Sequence, residues 1–361
     1  MSDSASSSPK SRWRRLSLIL LLLILAACAG AGWVVHDFLN SSGAPDSASA
    51  HDVDVTISPG TTFVGLSAEL EAKGVVKNAK AFAMLARWKN VTGKLQVGRF
   101  RVNTGWKPEQ VLDRLVHGQP VLERVTIPEG LAWWDVGKRL EEAGMLRLED
   151  YKKIVHDPEF LRYCGIPFPS VEGFLYPDTY LLERPLELNE ESARKVVARL
   201  VDTFWRKTSS LWPEGKRPGP QGADYVRKLV ILASIVEKET SVPEERGLVA
   251  GVYVNRLQKG MLLQADPTTA YGLGENFDGR LLYRHLEDTK NMYNTYCKPG
   301  LPPGPICSPG LACLQAAANP AQHHFLYFVA SGEGNGHVFS KTLAEHNRAV
   351  RAYRQKTRRT K

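Results

Sequence analysis

The chain has 361 residues, 43% hydrophobic and 24% charged, enough for two or three domains with real cores, so a chain disordered throughout is excluded. Its formal charge of +9 sits at the ends: residues 1–15 carry +3 and residues 348–361 carry +7, leaving −1 between them. A folded middle this close to neutral offers no electrostatic footprint for DNA or RNA.

Residues 1–15 are basic and Ser-rich, and residues 16–35 are uncharged and mostly apolar, a length that spans a bilayer as one helix. Basic residues before the run and a long chain after it predict a cytoplasmic N-terminus and an exported remainder. Leu25-Ala26-Ala27-Cys28 looks like a bacterial lipoprotein cleavage box, but the apolar run continues through Trp33 to Val35, which favours an uncleaved anchor. Residues 36–52, rich in Ser, Ala, Gly and Pro, read as a flexible linker.

The first folded unit alternates as a strand from Val53, turns at Pro59-Gly60, and enters an amphipathic helix capped by Thr61 or Thr62 and ended at Gly74. Seventy residues later the pattern returns. VTISPGTTFVGLSAELEAKGVV (55–76) aligns without a gap onto VTIPEGLAWWDVGKRLEEAGML (125–146), so each copy predicts a strand, a glycine turn, a helix and a glycine stop. Between the copies the spacing predicts helices at 79–88 and 108–117 and a strand at 98–102. Trp133 and Trp134 invite a sugar-stacking reading, yet Phe63 and Val64 hold the same places in the first copy, so core packing is the better reading for at least one of them.

Residues 171–182 (VEGFLYPDTYLL) are neither amphipathic helix nor clean strand. A helix at about 190–207 and a Pro/Gly-rich loop at 213–222 follow. LVILASIVEKETSVP (229–243) is then apolar on nearly every side up to Val236, which requires a buried helix, and it ends in Glu237 and Glu239 before Pro243. Burial and the negative end of a helix both raise a carboxyl pKa, so an acid placed there can stay protonated near neutrality and act as a general acid. The two glutamates point roughly 200° apart, and spacing does not say which one meets a cleft. Further on come a helix at 244–258, the Asp266-Pro267-Thr268 turn, a rigid loop at 294–305, a short helix at 312–318, a hairpin within 326–339, and a last helix dissolving into the basic tail. Cys297, Cys307 and Cys313 fall close together, and with Cys164 they fit a disulfide in an oxidising compartment. No metal-ligand spacing occurs, and His323, His324, His337 and His346 are scattered.

Taken together, VEGFLYPDTY (171–180), LASIVEKET (232–240), VNRLQKGMLLQADPT (254–268), YNTY (293–296), GLPPGPI (300–306) and FLYFVASGEGNGHVFS (325–340) resemble the membrane-anchored endolytic murein transglycosylases of bacteria. The resemblance implies an α+β protein: a cytoplasmic basic segment (1–15), a transmembrane helix (16–35), the linker (36–52), a LysM-like module (53–118) and a catalytic domain (119–353); the basic tail (354–361), extra to the family pattern, reads from its charge as disordered. It implies Glu239, before Thr240, as the acid that cleaves the MurNAc–GlcNAc bond inside glycan strands and leaves 1,6-anhydro-MurNAc ends. Glu172, Tyr176, Asp178, Asn255, Gln264, Asp266, Asn294, Tyr296 and His337 are expected to line the cleft. No cofactor is called for. The expected partners are peptidoglycan strands, the inner membrane and a synthase or elongation complex, where cleavage would terminate strand growth. The rival readings are a hydrolytic muramidase using Asp178 or Asp266 as second carboxylate, and a wall-binding scaffold without activity.

Overall fold

The computed structural model describes residues 9–359, and the chain divides into two units at Leu122. In the first, helix α1 (Pro9–Asn40) contains a 25-residue segment, Leu16–Asn40, that is long and apolar enough to cross a membrane, with its apolar side chains exposed from Leu16 to Val35. The helix continues into the stretch read as a linker. Phe38 and Leu39 pack against the core of the module that follows, Ala44 is buried, and its N–H bonds the Thr104 carbonyl at 2.9 Å.

That module pairs β1 (Asp52–Ile57) antiparallel with a later strand and lays α2 (Phe63–Ala72) and α3 (Ala79–Trp88) between them in sequence. Thr62 and Asn78 cap the two helices through the N–H groups of Gly65 and Ala81. Strand β2 (Gly98–Asn103) matches Asp52 to Asn103 and Ile57 to Gly98, and α4 (Pro108–His117) completes the unit. Val55, Ile57, Leu66, Leu70, Phe82, Phe100, Val102 and Leu115 interlock as its core. The strand, helix, helix, strand order is the one the sequence spacing predicts.

The second unit opens with the repeat. Strand β3 (Leu122–Ile127) and helix α5 (Trp133–Glu142) stand 70 residues after β1 and α2, at 122 against 52 and at 133 against 63. Gly60 and Gly130 turn at φ 82° and 76°, and Gly74 and Gly144 both stop their helices at φ 69°, a region a side chain resists. Helices α6 (Leu148–Ile154) and α7 (Pro158–Cys164) follow. Strand β4 (Asp178–Glu183) then pairs with β3, with Thr126 and Thr179 hydroxyls 3.0 Å apart. This corrects the reading of 171–182 as wholly irregular: the strand forms because β3 supplies a partner far away in sequence.

Helix α8 (Glu190–Lys207) precedes α9 (Ala223–Glu239), the axis of the unit. Every residue of α9 from Leu229 to Val236 is buried, and the one polar member, Ser234, donates to the Ile231 carbonyl and accepts from the Ile306 N–H. The helix starts at Ala223, earlier than its apolar run, because Asp224, Tyr225, Arg227 and Lys228 form an exposed first turn and a half. Against it pack α10 (Arg246–Gln258), α11 (Asp266–Gly272) and α13 (Leu311–Ala318), with the short α12 (Tyr283–Leu286) between α11 and α13 in sequence. A hairpin of β5 (Tyr327–Ala330) and β6 (His337–Ser340) and a final helix α14 (Leu343–Arg359) close the chain.

Two expectations are revised. α14 runs through the stretch read as a disordered tail as far as Arg359, aided by a Lys356–Glu333 ion pair at 2.8 Å, while residues 360–361 lie outside the described residues, as do 1–8. All five cysteines are free. The Cys307 and Cys297 thiols meet the backbone carbonyls of Ser234 and Leu286 instead of one another, so no disulfide links that loop.

Candidate active site

The two glutamates at the end of α9 go separate ways. Glu237 accepts the Gly310 N–H at 2.9 Å, at the cap of α13, where a carboxylate meets the positive end of a helix. Glu239 faces an open cleft of about 330 Å³, where its Oε1 accepts the Tyr253 hydroxyl at 2.8 Å. Thr240, extended at φ −142°, ends the helix directly after it.

Burial pushes the Glu239 carboxyl up to about 7, with the charge of Asp266 adding to the rise; the Tyr253 hydrogen bond, His337 and Arg256 pull the other way. The shift brings its titration close to neutrality, where an acid can both give up a proton and recover it. Tyr253 fixes one carboxyl oxygen, which leaves the second to carry the proton. Because that hydroxyl stabilises the anion, Tyr253→Phe is expected to raise the Glu239 pKa and move the alkaline limb of kcat/KM to higher pH. A pH profile moving the other way would contradict this arrangement.

Of the residues expected in the cleft, Gln264, Asp266 and Tyr296 line it together with Glu239. Asp266 opens α11 ahead of Pro267 and accepts the Tyr296 hydroxyl. Gln264 takes φ 49°, held by a 3.1 Å bond from its N–H to the Thr295 carbonyl. His337 stands beside the cleft: Glu245 accepts both its N–H at 2.7 Å and its Nδ1 proton at 2.6 Å, and also receives the Thr240 hydroxyl at 3.3 Å. Glu245 thus ties the residue after the acid to the β5–β6 hairpin.

The other candidates are scaffold. Asn294 is fully buried; its Nδ2 donates to the His285, Leu286 and Asp288 carbonyls, and its Oδ1 accepts from Thr269 and from the Tyr296 N–H. Asn255 donates to the carbonyls of His323 and Phe325 at 2.9 and 3.0 Å. Glu172, 1% exposed, accepts the Trp133 and Gly173 N–H groups, and burial pushes it up to about 7 in a place apart from the cleft. Tyr176 is buried against Phe204, and Asp178 pairs with Lys207 at 3.3 Å. Trp133 is half-buried against the core, while Trp134 stacks on Tyr271 with centroids 4.9 Å apart.

Sequence reasoning missed the far wall: Tyr253, Arg256, Tyr327, Phe328, Leu343 and His346. Tyr253 and Arg256 carried a usable signal, since they lie one turn apart on the largely apolar α10 and so share a buried face. Tyr327 and Phe328 lie in the FLYFVASGEGNGHVFS motif without standing out within it, and the α14 residues carried no signal.

Fold and site together define an α+β protein with an N-terminal helix long enough to cross a membrane and, in its second unit, one protonatable glutamate facing an open cleft. The chain belongs to the YceG-like family, which it matches over residues 55–352. A protein of Bacillus subtilis (strain 168) named endolytic murein transglycosylase is 29% identical over 316 residues, 83% of this chain and 84% of that one. A protein of the same name from Streptococcus pneumoniae D39 is 26% identical over 355 residues, 90% of this chain and 63% of that one. The crystal structure of a YceG-like protein from Listeria monocytogenes, at 30% identity, superposes with a TM-score of 0.52 over 83% of this chain and 99% of the other.

Proposed function

We propose that this chain is a lyase of peptidoglycan, an endolytic transglycosylase that cuts the MurNAc–GlcNAc β-1,4 bond within glycan strands and leaves 1,6-anhydro-MurNAc ends. The observation that carries the reading is Glu239, a carboxyl raised to about 7 that lines an open cleft, in a chain with relatives named endolytic murein transglycosylase. Glu239 donates its proton to the glycosidic oxygen as the bond to C1 breaks and an oxocarbenium-like centre develops. Asp266, kept in place by Tyr296, lies in the same cleft as a fixed negative charge that favours that centre. The Glu239 carboxylate then takes the proton of the MurNAc 6-hydroxyl as that oxygen closes on C1. The nucleophile comes from the substrate, so one carboxyl serves as acid and then as base.

A second reading has one observation in its favour: Asp266 shares the cleft and can in principle activate water, as an inverting hydrolase requires. Asp178, paired with Lys207 and outside the cleft, is a poor second carboxylate. The rest of the proposal is organisational. The module at 53–118 is read as LysM-like and wall-binding, the N-terminus as cytoplasmic, and the second unit as periplasmic at the inner membrane. There it would work beside a synthase or elongation complex and terminate growing strands.

The test is incubation of the full-length chain in detergent micelles with purified glycan strands, followed by sizing and mass spectrometry. Internal cuts giving ends lighter by one water than reducing ends support the proposal; reducing ends support the hydrolase, and intact strands support the scaffold.

A further inference from the structure

The near-neutral middle of the chain hides a charged stretch. Residues 72–108 contain nine Lys or Arg and no Asp or Glu, and they run through the first module from the last residue of α2 to the first of α4. Lys73, Lys89 and Arg101 take the nearby acids Glu69, Glu109 and Asp54. Lys77, Lys80, Arg87 and Lys94 are exposed and have no ion pair among the described residues. Two large apolar side chains stand within this charge. Met84 and Trp88 lie one turn apart on α3 and are 67% and 78% exposed, whereas Phe82, Leu85 and Ala86 of the same helix are buried in the core. The inner face of α3 thus fills the module, and its outer face carries Lys80, Met84, Arg87 and Trp88.

The chain itself brings a bilayer to this face. Helix α1 runs unbroken from the apolar span to Asn40, and Phe38 and Leu39, just past Val35, already pack on the core of the module. At 1.5 Å per residue, that core begins about 5 Å beyond Val35, the last residue of the exposed apolar run. The start of α4 then touches both helices. Lys107 Nζ donates to Asn40 Oδ1 at 3.0 Å at the end of α1, and Glu109 pairs at 2.9 Å with Lys89, the residue after Trp88. The exit of α1 and the C-terminal end of α3 therefore meet the same turn of α4. A soluble polyanion would answer only the charges of the α3 face, whereas a bilayer interface takes Lys and Arg together with Trp and apolar side chains.

We propose that the outer face of α3 is a peripheral membrane contact, in which Lys80 and Arg87 meet anionic lipid headgroups while Met84 and Trp88 enter the interfacial layer. The contact requires α1 to cross a membrane and is independent of the reaction in the second unit. It lays the module on the bilayer beside its own anchor, with two attachments in place of one. The negative potential of an anionic surface attracts each Lys or Arg near it, so the contact strengthens with the anionic share of the lipid and weakens with salt.

The test reconstitutes the full-length chain in nanodiscs of phosphatidylcholine, alone or mixed with phosphatidylglycerol. Hydroxyl-radical footprinting with mass spectrometry then reads the oxidation rates of Met84 and Trp88, scaled to the exposed Met292 of the second unit. Both rates are expected to be about fivefold lower in the anionic discs, the factor that one basic residue gains at such a surface. Lys80→Glu combined with Arg87→Glu should restore the rates seen in phosphatidylcholine alone, and both positions are exposed, so the fold should hold. Equal rates in the two lipids overturn the proposal, as does protection that survives the double charge reversal. Protection that appears only when purified glycan strands are added also overturns it and gives the face to the wall. A chain that stays with neither disc removes the membrane-crossing reading of α1 and this contact together.

Discussion

Glu239→Gln is expected to lower strand cleavage by a factor of about 10³ or more while leaving the fold intact, because general acid–base chemistry alone contributes about 10²–10⁴ and here one group performs both halves. The amide is close to isosteric and still accepts the Tyr253 hydroxyl, so its loss is chemical. Stability should move the opposite way. With a folded pKa of about 7 against an ordinary 4.5, the native state disfavours the Glu239 anion. That penalty is absent below about pH 4.5, grows as the pH rises, and is complete above 7. Glutamine escapes it, and the variant should gain at most about 3 kcal/mol at alkaline pH. Thermal melts at pH 4 and pH 8 beside cleavage assays check both halves; a folded variant with near-native cleavage would remove Glu239 from the mechanism. Glu237→Gln is the matched control, and it should keep cleavage because Glu237 is turned toward Gly310.

Asn294→Ala should destabilise the second unit by about 3 kcal/mol, the largest loss of stability expected of any candidate residue. The side chain is fully buried, supplies three carbonyls with a donor, and offers its own oxygen to Thr269 and to the Tyr296 N–H. Alanine leaves several of these groups without partners in a place water does not reach. Activity should fall with stability, since the Tyr296 that bonds Asp266 is hung from Asn294. Chemical denaturation would register the loss as a lower midpoint. A melt indistinguishable from wild type would mean the loop at 285–297 is held by other contacts.

What the sequence disclosed follows from what is local. Burial of α9 is written in eight consecutive residues, and its termination at Thr240 follows from Pro243. The repeat was legible because glycine is needed at matched turns and stops, so the register survived where the side chains diverged. The choice between Glu237 and Glu239 was not legible from spacing. It depends on what lies on each side of the helix, Gly310 on one and Tyr253 on the other, and both partners are placed by packing between separate elements. The same is true of the strand at Asp178–Glu183, which exists because β3 is there to pair with it.

Glu172 is the instructive miss. A glutamate in an aromatic, irregular stretch reads as a ligand contact, yet this one is sealed inside by two backbone N–H groups and never reaches the cleft. Residue type marked it as unusual, and only packing could say that its work is structural. Conversely, His346 looks unremarkable in the sequence, and it joins Tyr327 in a wall of the site because the hairpin and α14 fold back onto α10.

The most direct test of one carboxyl acting on a nucleophile supplied by the substrate is digestion of purified glycan strands in ¹⁸O-enriched water. Intramolecular closure by the 6-hydroxyl uses no water, so the new ends should carry no ¹⁸O and be lighter by one water than reducing ends. New reducing ends that incorporate ¹⁸O at C1 would mean that water attacks, with Asp266 as its base, and would contradict the account.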